Sequence, residues 1–323
     1  MSQKTSMTTP YCRQDVRDFL DMVNAAPGPS LEQGTPERAR EIASQAIGFG
    51  ELPVGEIAVM RDLEIPAGDG RQIPARLFDA RSEREAGPLV LFFHGGGFVL
   101  GDIAAYTPAC AEIARSLDLP VLSVEYSLAP ERPWPCAPDD CETAARWAAA
   151  NPAALGLAID SLVTIGDSAG GGLAIVTSLA LRDAPAAVPV IAQCAIYPAV
   201  DLSRTYASVD RLAEGYLLTA PMLQWYNLLY AAQRDHWRAS PILADHAGLP
   251  PTLILGASLD PLIDQARAYA AASVLAGVPT IYREAAGNIH GFLNLRRAIP
   301  SGVEDVDGLL VALNTMIAEA RGR

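Results

Sequence analysis

The chain has 323 residues, half of them hydrophobic, with glycine and proline scattered along it; that composition suits one large core and excludes a disordered or low-complexity chain. A formal net charge of −13, with nothing more basic than the Arg296-Arg297 pair, argues against nucleic acid and anionic membranes, which attract grouped Lys and Arg. Five widely spaced cysteines (Cys12, Cys110, Cys136, Cys141 and Cys194) form no CxxC pair, so the expectation is buried free thiols in a reducing compartment, with neither a zinc site nor a disulfide framework.

Met1 to Asp21 has no apolar segment behind a basic start, and no run of ~18 apolar residues follows anywhere. A cytoplasmic protein without membrane insertion is expected. Asp15 to Val23 sets Val16, Phe19, Leu20 and Val23 at helical spacing, and Pro27 and Pro29 break that helix. Thr35-Pro36-Glu37 starts a second helix, with Thr as cap and Pro in the first turn.

The period then changes. Glu56 to Ile65 and Gln72 to Phe78 alternate as half-buried strands do, and Pro88 to Phe93 reads PLVLFF, a run suited to a strand covered on both faces. Further strands are predicted at Pro120–Val124, Leu162–Ile165, Val188–Ile196, Thr252–Leu255 and Thr280–Tyr282. Helices are predicted between and after them at Thr107–Ser116, Pro138–Ala150, Ala169–Arg182, Pro261–Ala276 and Val306–Ala320. Alternation of this kind gives an α/β fold with a mostly parallel sheet and helices on both faces. Residues 200–240 interrupt it with an apolar segment containing Met222, Leu223, Trp225 and Tyr226. Because the sheet already has its crossover helices, this insertion reads as a lid over a pocket rather than as core.

Gly166-Asp167-Ser168-Ala169-Gly170 matches G-x-S-x-G between a predicted strand and a predicted helix, the context of a nucleophile elbow. The same residues could also be a glycine turn with Ser168 as an ordinary helix cap. His94-Gly95-Gly96-Gly97-Phe98 directly follows the PLVLFF strand. Its unshielded amides suit an oxyanion hole, with Gly96 and Gly97 assigned first, the Ala169 amide joining them, and Gly95 as a further neighbour. A phosphate loop would need a Lys that is not there. His94 is expected to bond within its own loop.

A base and an acid complete the chemistry. His290 follows the last predicted strand through a loop at Glu284–Ile289, whereas His236 and His246 flank the insertion and are expected at the surface. Asp260 ends the strand before it, and Asp264 lies one helical turn further on; Asp260 is the better acid and could at the same time cap the helix that Pro261 opens. Ser168, Asp260 and His290 then form a nucleophile–acid–base set that uses no metal or cofactor.

The ordered words HGGGF (94–98), YSLAPERPWPCAPDD (126–140), GDSAGG (166–171), EGYLLT (214–219), DPL (260–262) and HGF (290–292) resemble those of the hormone-sensitive-lipase-like bacterial esterases, family IV of the α/β-hydrolase superfamily, over residues 54–297. The resemblance implies an α/β-hydrolase fold with an eight-stranded sheet. It also implies a helical cap made of residues 1–50 and 200–240 on a core of residues 51–199 and 241–323. The implied activity is hydrolysis of short- to medium-chain carboxylic esters, often by dimers, for which the terminal strand and helix offer a surface. Three positions depart from the family: Ser127 replaces Arg in YRLAPE, Ile263-Asp264-Gln265 replaces RDE after DPL, and Gly172 replaces the usual Asn. An amidase or peptidase with the same triad, a long-chain lipase and a non-catalytic ligand-binding relative are the competing readings.

Overall fold

The computed structural model describes residues 10–26, 28 and 30–322. Two amphipathic helices come first, α1 (Gln14–Ala25) and α2 (Pro36–Gly50). In α2 the Thr35 hydroxyl accepts the Arg38 N–H and the Thr35 carbonyl accepts the Ala39 N–H, as a Thr-Pro start requires. The break assigned to Pro27 and Pro29 lies outside the described residues.

The core begins with the antiparallel strands β1 (Val59–Pro66) and β2 (Gln72–Asp79), followed by β3 (Gly87–Phe93), α3 (Ile103–Leu117), β4 (Val121–Val124), α4 (Cys136–Ala149), β5 (Ile159–Asp167), α5 (Ala169–Asp183) and β6 (Val190–Ile196). Two short helices, α6 (Ala207–Arg211) and α7 (Ala220–Tyr230), fill the insertion before β7 (Thr252–Leu259), α8 (Ile263–Leu275), β8 (Thr280–Ile289) and α9 (Gly302–Arg321). The eight strands form one sheet in the order β1-β2-β4-β3-β5-β6-β7-β8. Pairing is antiparallel from β1 to β2 and from β2 to β4, and parallel from there on. This is the α/β-hydrolase fold.

Strand β3 shows why the apolar run was continuous. Leu89, Leu91 and Phe93 pack on the face covered by α4 and α5, while Val90 and Phe92 pack on the face covered by α3 and α9. With both faces covered, the period-2 signal disappears. β3 and β5 are neighbours, so the HGGGF loop and the Ser168 turn leave the same edge of the sheet side by side.

Three expectations need correction. The loop expected at Glu284–Ile289 is strand, because β8 keeps pairing with β7 as far as Leu259↔Ile289. The register shifts after Ala257, and Gly287 there sits at φ +75°; an irregular stretch reading EAAGNI shows no alternation in sequence. His246 is buried, with Nε2 on the Pro241 carbonyl at 3.2 Å and its ring against Tyr269. All five cysteines are free, but Cys12 and Cys136 are only half-buried. Beyond these expectations, Arg296, half of the Arg296-Arg297 pair, is itself buried and pairs with the buried Glu51 at 2.8 Å.

No helix among the described residues is long and apolar enough to cross a membrane.

Candidate active site

The turn between β5 and α5 holds Ser168 at φ 54°, ψ −120°, a conformation that costs an L-residue energy and persists only where neighbours impose it. The Ser168 N–H donates to the Ile196 carbonyl at 2.8 Å, and its own carbonyl accepts from Gly172 and Ala199. Gly170 is required by contact: a Cβ there would run into the Phe93 carbonyl of β3. The strand, the turn and the helix are therefore pressed together, and Ser168, 9% exposed, projects above the sheet edge. It opens α5 without a side-chain cap bond, so the helix-cap role is not the one its hydroxyl plays.

His290 is the residue after β8, turned by Gly291 at φ +81° into a short 3-10 turn, Phe292–Asn294. Its Nε2 is 2.8 Å from Ser168 Oγ, across 122 residues of sequence. Its Nδ1 is 2.6 Å from Asp260 Oδ2, and the Tyr197 ring supports the imidazole with centroids 4.6 Å apart. Asp260 is fully buried; its other oxygen accepts the Leu262 N–H at 2.8 Å. Since α8 starts only at Ile263, the carboxylate braces the turn before the helix instead of capping it at Pro261. Asp264 is elsewhere, accepting the Ser208 N–H and pairing with Arg267. His236 lies edge-on to Trp134, with Nδ1 accepting from the Arg238 N–H.

The three glycines of the HGGGF loop divide by hydrogen bonding. The Gly95 N–H is already engaged, donating to Asp167 Oδ1 at 2.7 Å and to the Tyr106 hydroxyl at 3.1 Å. The Gly96 and Gly97 amides, and that of Ala169 at the start of α5, meet no acceptor among the described residues. Such amides beside a serine hydroxyl are what a developing oxyanion requires. Gly97 has φ +63°, and a Cβ on it would enter the Tyr226 ring of α7, so the insertion lies directly on the loop. His94 is sealed in behind: Nδ1 is 2.8 Å from the Gly95 carbonyl and the ring stacks on Tyr126 at 4.3 Å. Burial pushes its pKa down to about 4, which keeps it neutral and structural.

Sequence reasoning did not single out Asp167, Tyr106 or Tyr197. Asp167 is fully buried between the two loops and accepts from Gly95, from the Tyr106 hydroxyl (3.1 Å) and from the Tyr197 hydroxyl (3.4 Å). Burial raises its pKa to about 6, opposed by nearby His290 and by these hydrogen bonds. The available signal was a lone carboxylate inside an apolar G-D-S-A-G word.

The departures have local explanations. Ser127, where the family has Arg, donates its N–H to Asp140 at 2.9 Å, and Arg71 pairs with that carboxylate at 2.8 Å. The Gln265 side chain accepts the Val200 and Asp201 amides, both at 3.0 Å. A Cβ on Gly172 would strike the Ala199 carbonyl.

Above Ser168 opens a cavity of about 810 Å³. Phe19 and Met22 of α1, Phe49 of α2, and Met222, Leu223 and Tyr226 of α7 give it a largely apolar wall. Among the described residues no group of His, Cys, Asp and Glu is placed to hold a metal ion.

Residues 90–294 match a family model for the alpha/beta hydrolase fold. The chain is 34% identical over 320 residues to ethyl acetate hydrolase of Pseudomonas putida, covering 95% of this chain and 97% of that protein. It is 36% identical over 278 residues to the carboxylic ester hydrolase LipN of Mycobacterium tuberculosis, covering 83% and 73%. Among solved structures, an ester-hydrolase from the metagenome of Lake Arreo, complexed with a derivative of bipyridine phosphonate, superposes with a TM-score of 0.90 at 34% identity over 95% of this chain and 99% of that one.

Proposed function

The chain belongs to the hormone-sensitive-lipase-like esterases of the α/β-hydrolase superfamily and is a serine carboxylic-ester hydrolase; from that premise we propose that it cleaves short- to medium-chain carboxylic esters through Ser168, His290 and Asp260. The observation that carries this reading is the continuous relay of 2.8 Å and 2.6 Å from Ser168 through His290 to Asp260.

In the proposed mechanism Ser168 Oγ attacks the ester carbonyl while His290 Nε2 takes its proton. Asp260 holds the imidazole in the tautomer with hydrogen on Nδ1 and stabilises the imidazolium as it forms. The carbonyl oxygen, now negative, is received by the Gly96, Gly97 and Ala169 amides, each of which can be worth ~10²–10³ in rate. His290 then returns the proton to the departing alcohol, leaving an acyl group on Ser168. Water, deprotonated by the same imidazole, releases the acid.

Residues 1–50 and 200–240 are assigned as the two parts of a cap. The apolar side chains that α1, α2 and α7 turn towards the cavity support that division, and a largely apolar wall of this kind suits alkyl esters better than charged ones. A cytoplasmic location belongs to the same proposal and fits the five free thiols.

The test is an assay of p-nitrophenyl esters of increasing acyl length beside Ser168→Ala. Activity falling off at long chains, with the variant down by several orders of magnitude, upholds the proposal. A wild type best on long chains removes the substrate class, and a variant that stays active removes the nucleophile.

A further inference from the structure

Gly97 and Phe98 carry the bend of the HGGGF loop at φ +63° and +64°. This is the left-handed region, which a phenylalanine seldom adopts and keeps only where neighbours impose it. The backbone supplies little of that restraint. Among the described residues the Gly97 N–H, the Gly97 carbonyl and the Phe98 N–H make no hydrogen bond. The flanking bonds run from the Leu100 N–H to the Gly96 carbonyl at 2.8 Å and from the Ala129 N–H to the Phe98 carbonyl at 2.9 Å. What lies on the unbonded stretch is helix α7. A Cβ on Gly97 would fall on Cγ and both Cδ atoms of Tyr226, and the Tyr230 ring stacks on Phe98 with centroids 3.8 Å apart and planes inclined by 5°.

Tyr226 and Tyr230 are one helical turn apart on α7 and so share a face; one rigid element grips two consecutive residues of the loop. The end of that helix is tied down in turn, the Tyr230 carbonyl accepting the Trp134 N–H at 3.0 Å. The Tyr230 hydroxyl is buried without a hydrogen-bond partner among the described residues, so the ring alone makes its contact. Tyr230 also lies off the cavity wall and is only 1% exposed; it cannot touch a substrate and can act on one only through Phe98. The torsions that α7 restrains are those that aim the neighbouring amides, and a misplacement of ~1 Å in a catalytic group can cost ~10²-fold in rate. Resting on the esterase reading above, we propose that Tyr226 and Tyr230 are positioning residues: they hold Gly97 and Phe98 in the left-handed conformation that points the Gly96 and Gly97 amides at the developing oxyanion. The insertion at 200–240 is then a working part of the oxyanion hole as well as a wall of the cavity.

The experiment uses the full chain with Tyr230→Leu, Tyr226→Leu or Tyr230→Phe, which keeps the ring, and reads p-nitrophenyl butyrate hydrolysis beside two inhibitors. Ser168 Oγ adds to the carbonyl carbon of butyl trifluoromethyl ketone, the carbonyl π pair moves onto oxygen and the serine proton passes to His290, so this inhibitor reports on the oxyanion donors. Butyl methyl ketone, which stays a ketone, reports on ordinary binding. Each leucine variant should lose about 10²-fold in kcat with KM held within about threefold, and should bind the trifluoromethyl ketone about 10²-fold more weakly while binding of the methyl ketone changes by no more than about threefold. Tyr230→Phe should restore kcat. Tyr226→Leu carries the test if circular dichroism shows that Tyr230→Leu does not fold. A folded leucine variant with unchanged kcat, a rise in KM alone, equal weakening of both ketones, or a Tyr230→Phe as slow as Tyr230→Leu overturns the proposal. A wild type inert on p-nitrophenyl butyrate and insensitive to the trifluoromethyl ketone overturns the esterase reading itself, and this inference with it.

Discussion

The Gly95 amide donates to the Asp167 carboxylate across 2.7 Å. That bond ties the loop bearing the candidate oxyanion donors to the residue immediately before Ser168, so two segments 72 residues apart in sequence are set at one spacing. It also engages the Gly95 N–H, which is why the proposed mechanism relies on the Gly96, Gly97 and Ala169 amides.

Asp167 and His94, both fully buried, should act on stability in opposite directions. The Asp167 pKa rises to about 6 in the fold, so the folded state keeps a proton that the unfolded chain releases near the ordinary value of ~4; stability from this group falls as pH rises from about 4 to about 6. The His94 pKa falls to about 4 from an ordinary ~6.5, so its contribution is complete above pH ~6.5 and is lost as pH falls towards 4. Each is worth ~3 kcal/mol at most. Asp167→Asn should therefore make stability climb more steeply with pH across this range, and His94→Gln should make it climb less or decline. Urea unfolding at intervals from pH 4 to 8 measures both slopes; unchanged slopes would mean that neither group titrates in this range.

Asp260→Asn should lower kcat by about 10⁴ while leaving the fold intact. An Asn oxygen can still accept the Leu262 N–H that Asp260 Oδ1 now holds, so the turn survives. Its NH₂, facing Nδ1, would force the hydrogen of His290 onto Nε2 and remove the base. Steady-state kinetics with a circular dichroism spectrum checks the two halves; near-normal activity would exclude Asp260 as the acid.

The Glu51–Arg296 pair joins the end of α2 to the segment after His290, where the Arg297 and Ala298 amides also reach the Gly50 carbonyl. Burial raises the Glu51 pKa although Arg296 opposes it. Arg296→Met strands a buried carboxyl group and should cost about 3 kcal/mol or more, whereas Glu51→Leu combined with Arg296→Met should recover most of the loss. Chemical denaturation of the two variants decides it, since a double variant no better than the single would show that the pair itself is strongly favourable.

Gly172→Asn would restore the residue usual in the family but should destabilise this chain by about 1–3 kcal/mol or more, because the new Cβ meets the rigid Ala199 carbonyl rather than a side chain that can move. A thermal melt equal to that of the wild type would show that the segment after β6 yields.

Much of this protein was legible as local pattern. The Ser168 turn, the HGGGF loop and the strand–helix alternation are governed by backbone sterics and by burial period, which act over a few residues and so leave their mark in consecutive letters. The order of elements along the sheet was enough to nominate Asp260 and His290, whose side chains meet at 2.6 Å. What could not be read is everything set by contact between distant segments. The strand character of residues 284–289 depends on pairing with β7, the burial of Arg296 on Glu51, and the occupation of the Gly95 amide on a carboxylate in another motif. The buried Asn294 Oδ1, without a hydrogen-bond partner among the described residues, belongs with these. Hydrogen bonds and ion pairs are satisfied in three dimensions, and a sequence lists donors and acceptors without saying which of them the folded chain leaves free.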